Sequence, residues 1–123
     1  MKNEIISRSK NFALKIIHLV RHLRGGNTEN VLGRQLLRSA TSVGANYRSA
    51  CKAKSRADFI AKIAVAEEEA DESQYWLELM FESGMIKEEM FQSLHDEAQQ
   101  LTAIMAASGK TAKENLKLNR AQA

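Results

Sequence analysis

SRADFIAKIAVAEEEADESQYWLELMFESG, residues 55–84, is the stretch whose reading decides the fold. Ser55 with Asp58 three residues later is a helix-start pair of the capping-box kind, with Asp in place of the usual Glu or Gln. From there Phe59, Ile63, Ala66, Ala70, Leu77 and Met80 recur at helical spacing and draw one apolar line. Gly84 supplies the stop, so the spacing predicts a helix to about Ser83. Val65 and Trp76 fall on its flank, which points to a second packing contact.

The same period extends on both sides. Upstream, Leu32, Leu36, Ala40, Val43, Tyr47, Ala50 and Cys51 share a face of a helix that Asn27 or Thr28 can cap and that reaches about Ala53. Its small residues Ser39, Ala40, Gly44 and Ala45 permit a close neighbour. Gly44 inside a helix costs about 1 kcal/mol relative to Ala, so a packing reason is expected for it. Before that, Ile5, Phe12, Ile16, Leu19, Val20 and Leu23 align over a helix from about Asn3 to Arg24, ended by Gly25 and Gly26. Downstream, Met90, Leu94, Ala98, Leu101 and Met105 predict a fourth helix from about Lys87 to Ala107. Glu88 and Glu89 suit its N-terminal dipole. The polar segment 110–123 after Gly109 is expected to fray.

Four amphipathic segments joined by short turns, with no proline in 123 residues, predict an all-α, antiparallel up-down-up-down four-helix bundle over residues 1–109. A hydrophobic share of 44% against 27% charged residues excludes a disordered chain. Charges at Glu4, Arg8, Lys10 and Lys15 interrupt any secretory or membrane-spanning run at the start. Cys51 is the single cysteine, which rules out an intrachain disulfide and fits a reducing compartment. The expected location is the cytoplasm, with no membrane partner.

Charge is sorted along the chain. Residues 1–56 hold twelve Lys or Arg against two acids, a net of +10, and residues 57–108 hold twelve acids against two Lys, a net of −10. Such a dipolar chain invites self-association or an anionic partner for its basic half. On the second helix Arg34, Arg38, Arg48, Lys52 and, if the helix reaches it, Arg56 lie within about 80° of arc. The arc contains no acid after Glu29. Arginine offers planar bidentate donors to phosphates and keeps its charge, and each phosphate contact releases counterions. These five are the candidate nucleic-acid contacts, with Arg8, Lys15 and Arg24 as outer candidates. The competing readings are a solvated face and pairing with Glu68, Glu69 and Glu72 of the next helix or another subunit.

Other constellations are weaker. Di-iron bundles need Glu-x-x-His pairs, and none of His18, His22 and His95 has a Glu three residues before it. His18 and His22 stand one turn apart but lack the glutamate of a zinc-protease helix. No metal site and no cofactor are expected. Cys51, on the apolar side of its helix, reads as a small hydrophobe despite Lys52 and Lys54 nearby. Trp76 lies among acids, which disfavours base stacking and favours packing against a helix or subunit. There is no glycine-rich phosphate loop or nucleophile elbow, so no catalytic residue is assigned and no enzymatic activity is expected.

Residues 34–79, RQLLRSATSVGANYRSACKAKSRADFIAKIAVAEEEADESQYWLEL, carry more specific marks. These are Arg38-Ser39, Ser42-Val43, Asn46, the SxxDF pattern from Ser55 to Phe59, Lys62, and EADE-x3-WL from Glu69 to Leu77. In them the chain resembles the four-helix bundle proteins associated with intervening sequences of bacterial 23S rRNA, often labelled ribosomal proteins. Ser49, where an acid is common, and Glu67, where a small or apolar residue is usual, depart from that pattern. The resemblance implies a ring-like homopentamer. It also implies likeness to the accessory variability protein of diversity-generating retroelements, a basic pentameric bundle that binds nucleic acid and a reverse transcriptase. The expected function is thus a non-enzymatic oligomeric bundle that binds RNA or DNA, the alternative being a scaffold or adaptor for a protein partner.

Overall fold

The computed structural model describes residues 1–122 and contains four helices: α1 (Lys2–Arg21), α2 (Asn27–Cys51), α3 (Arg56–Glu82) and α4 (Glu88–Gln122). Each helix packs on its sequence neighbour, and α1 also meets α4, closing the bundle; the diagonal pairs stay apart. Cross-helix registers run in opposite directions. Val20 and Leu23 face Gly33 while Ser9 faces Gly44, and Glu78 meets His95 while Ile63 meets Gly109. The start of α1, the end of α2, the start of α3 and the late turns of α4 therefore share one end of the bundle.

The apolar lines fill the core much as their spacing predicts. Ile5, Phe12 and Ile16 of α1, Leu36, Ala40 and Val43 of α2, Ile63, Ala66 and Leu77 of α3, and Leu94, Leu101 and Met105 of α4 are buried. Truncating one large member such as Phe12 to Ala would cost about 3–5 kcal/mol, because the packed neighbours cannot collapse fully into the space. Val20, Leu23, Leu32, Phe59 and Cys51 are half-buried and flank this core. Met90, placed in the core line of α4 by its spacing, is exposed instead.

Local signals set most of the boundaries. The Ser55 hydroxyl accepts the Asp58 backbone N–H at 3.0 Å, so the cap of α3 is the one its sequence announces. Asp58 makes no return bond to Ser55 but accepts from Lys62 at 3.0 Å, as a short side chain one turn from a lysine can. Gly84 ends α3 with a φ of 85°. After α1, Gly25 alone takes a positive φ, and Gly26, rather than Asn27 or Thr28, occupies the cap of α2.

Two boundaries differ in ways that matter for function. Arg56 is the first residue of α3, because Lys52 to Ser55 form the turn. The second difference concerns α4, which does not stop at Gly109. It continues through Gln122, so residues 110–122, expected to fray, are helical; Ala123 lies outside the described residues. Gly109 is a crossing point: a Cβ there would touch Ile63 Cγ2 at 3.4 Å, and Ala112 one turn on is buried as well. Tertiary contact with α3 carries the helix past a residue that reads locally as a stop.

Candidate anion-binding site

The groove between α1 and α2 is shaped by small side chains. Ser9 Oγ donates to the carbonyl of Ile5 at 2.8 Å, which holds it flat against its own helix. Gly44 sits directly opposite, where a Cβ would come to 3.2 Å from that oxygen. This is the packing reason for a glycine in mid-helix. Ala13 and Ala45 continue the shallow floor, and the groove encloses about 610 Å³. Ile6 is half-buried beside this floor, and four exposed cations stand round it: Lys2 and Lys10 from α1, Arg48 and Lys52 from α2. No carboxylate lines the groove, and among the described residues none of the four cations joins an ion pair.

The five candidates on the second-helix arc are thereby divided. Arg38 is clasped: its Nη1 donates to Glu69 Oε2 at 3.1 Å and its Nη2 to Glu72 Oε1, both on α3. The alternative of pairing with the next helix holds for this residue, through Glu69 and Glu72 but not Glu68. Arg34 is exposed near the start of α2, makes no ion pair among the described residues and does not line the groove. Arg48 and Lys52 reach the α1 seam. Helical geometry explains the split, since Arg38 and Arg48 lie about 40° to opposite sides of the Lys52 direction. Arg56, carried on α3, lines a different cavity between the start of α3 and the late turns of α4.

The outer candidates fare differently again. Arg8 turns toward α4, where Nε donates to Glu97 Oε2 at 3.2 Å and Nη2 to Gln100 Oε1 at 2.9 Å. The hydrogen bond to Glu97 raises its already high pKa, aided by the charges of Glu97 and Glu4 and opposed by desolvation. Lys15 also lies on the α4 side, and Arg24 lies beyond the end of α1. Lys2 and Lys10 were not among the candidates. Their signal was present in the small residues Ser9 and Ala13 between them and beyond, which mark the face of α1 that can approach Gly44.

Three chain segments meet at this end of the bundle. Residues 1–10, 48–58 and 108–122 hold eleven Lys or Arg against three acids, a net of +8. At the opposite end, residues 15–31 and 75–92 hold four Lys or Arg against five acids. The charge contrast read along the chain is therefore also a contrast between ends, because α4 returns its basic tail to the pole where α1 starts.

Elsewhere the polar groups serve packing. Ser39 and Ser73 share a buried hydroxyl contact of 2.9 Å between α2 and α3. Trp76 is half-buried, with Nε1 donating to Glu72 Oε1 at 3.2 Å. Cys51 is half-buried against the core. His22 Nδ1 lies 2.7 Å from the His18 carbonyl oxygen, and among the described residues no three His, Cys, Asp or Glu side chains gather as a metal site. Among the described residues no helix is long and apolar enough to cross a membrane.

Fold and groove together define a class: an all-α bundle protein with an electropositive seam between its first two helices. The chain belongs to the 23S rRNA-intervening sequence protein family, whose family model matches residues 1–107. A crystal structure of a protein of unknown function from the S23 ribosomal protein family of Bacteroides thetaiotaomicron is similar at 39% identity. It covers 89% of this chain and 99% of its own length, with a TM-score of 0.83. No curated protein matches the sequence.

Proposed function

We propose that this protein is a non-enzymatic, self-associating bundle of the cytoplasm that binds RNA or DNA through the α1/α2 groove. One observation carries the reading: Lys2, Lys10, Arg48 and Lys52 surround a groove of about 610 Å³ that no carboxylate lines. Four cations held together without counter-charges repel one another, and a polyphosphate relieves that repulsion while releasing its own counterions. Contacts of this kind fix the backbone and carry no base sequence, so binding is general rather than sequence-specific. The ring of five subunits that the family resemblance implies would repeat the groove, and weak sites on one rigid frame gain by multivalency.

Filter binding to a structured RNA and to a DNA duplex across a salt series tests the reading. Affinity should fall steeply with salt, and Arg48→Glu with Lys52→Glu should abolish most of it. Affinity that ignores both salt and the double reversal would remove the proposal.

A second reading is favoured by Arg38, whose guanidinium is held between Glu69 and Glu72. If opposite charges are consumed in this way between subunits too, the protein is a scaffold or adaptor for a protein partner. Glu72→Ala or Trp76→Ala would then change the oligomer mass, and nucleic-acid affinity would be negligible in every form.

A further inference from the structure

A second cavity at the basic end has a different chemistry. Arg8 of α1 pairs with Glu97, which sets the start of α1 roughly opposite residue 104 of the antiparallel α4. Beyond that point α4 runs against α3 alone, and a pocket of about 630 Å³ opens between them. Phe59, half-buried against the core, gives it an aromatic wall, and Ala107 and Ala112 keep the facing side shallow. Hydrogen-bonding groups stand round it: Ser108, Thr111 and Asn115 along α4, and the Arg56 guanidinium from α3. Arg56 makes no ion pair among the described residues.

An apolar wall with a polar, cationic rim suits a flat group whose faces are apolar and whose edges carry donors and acceptors. A nucleobase is such a group, and aromatic side chains beside a basic path bind bases by stacking. The surrounding charge selects this occupant over an apolar peptide side chain. Arg56 stands at its edge, at the end of the bundle whose three segments carry a net of +8. Lys110, Lys113, Lys117 and Arg120 fall within about 80° of arc on the far flank of the helical tail, where the three lysines line a separate groove with Glu67 and Glu114. Bases in a duplex are stacked and paired already, so only an unpaired strand can deliver one here.

We propose that the pocket between Phe59 and the α4 tail accepts an unpaired base, so that the protein prefers single-stranded nucleic acid to duplex. This rests on the nucleic-acid reading above and adds strandedness and a base site to it.

The test compares an oligothymidylate with an abasic oligomer of equal length, which has the same phosphates and no bases. Anisotropy is measured with the full chain. The oligothymidylate should bind about tenfold more tightly than the abasic strand, the scale of one or two stacked bases. Phe59→Leu keeps apolar volume but removes the π-face, and Thr111→Leu fills the pocket from an exposed helical position. Either should bring the two ligands to equal affinity with the salt dependence of abasic binding unchanged, and Phe59→Trp should restore the difference.

Equal binding of both ligands by the unaltered protein would overturn the base site while leaving the groove reading intact. A preference that survives both variants would overturn this location. Loss of the preference through a changed oligomer mass in Thr111→Leu would make the pocket a subunit contact and overturn the proposal. Binding of neither ligand would end the groove reading as well.

Discussion

Gly44 of α2 lies against Ser9 of α1 so closely that a methyl group on Gly44 would reach 3.2 Å from the serine hydroxyl and 3.5 Å from its carbonyl carbon. The floor of the cationic groove is this contact. Gly44→Ala sets a helix-propensity gain of about 1 kcal/mol against crowding of similar size, so stability should change by less than about 1 kcal/mol. Gly44→Val should lose about 2 kcal/mol. Combining Ser9→Ala with Gly44→Ala should recover at least the original urea midpoint, since the hydroxyl is the atom in the way. A fully destabilised double variant would show that the seam is set elsewhere.

Arg38 and Arg48 share a helix but not a role. Arg48→Gln should weaken nucleic-acid binding severalfold and make the slope of log affinity against log salt shallower by about 0.7 to 0.9. Arg38→Gln should change both by little, because its guanidinium is committed to Glu69 and Glu72. Its cost should appear in urea unfolding instead, at about 1 kcal/mol or less for a pair so exposed. Equal loss of affinity in both variants would contradict the division of the arc.

Tyr47 should show itself in alkali. Burial, with the charge and hydrogen bond of Cys51 beside it, pushes its phenol up to about 12. The folded chain then keeps a proton that the unfolded chain releases near pH 10. Stability from this group is complete below pH 10 and falls as pH rises toward 12, by about 2–3 kcal/mol in all. Tyr47→Phe should remove that fall, visible as a flatter dependence of the urea midpoint on pH across this window. Identical slopes in the two proteins would mean the phenol is solvated.

The late turns of α4 can be tested by cutting the chain after Gly109. Ala112 is buried and Leu116 half-buried against the rest, so the shortened protein should lose about 1–2 kcal/mol and still unfold cooperatively. Far-ultraviolet circular dichroism should lose the signal of about three and a half helical turns. An unchanged spectrum would return the segment to the frayed state that its polarity suggests.

Legibility followed the range of the signal. Ser55, Gly84 and the apolar lines of α3 act within a few residues, and the structure places them where their spacing does. Asn27 and Thr28 failed as caps because Gly25, with a φ of 138°, turns the chain one residue sooner. Gly109 failed as a stop because Ile63 across the interface covers it. In the candidate site, Arg48 and Lys52 were legible as cations on one arc. Arg56 moved to α3 when the turn formed, and Lys2 and Lys10 stayed hidden because Ser9 and Ala13 mark a face of α1 that can approach a neighbour without saying that α2 is that neighbour.

By itself the order of residues determined four helices, the faces they bury and a steep division of charge, since periodicity, caps and composition are local properties. Only the packed bundle decided which cations remain free. That outcome depends on the rotation and register of α2 between α1 and α3, which turn Arg38 toward Glu69 and Glu72 and Arg48 toward Lys2 and Lys10. Close contact at Gly44 sets the first seam and the Ser39–Ser73 hydroxyls mark the second. Electrostatic neighbours across two helices are a consequence of that fit, and no spacing along one helix contains it.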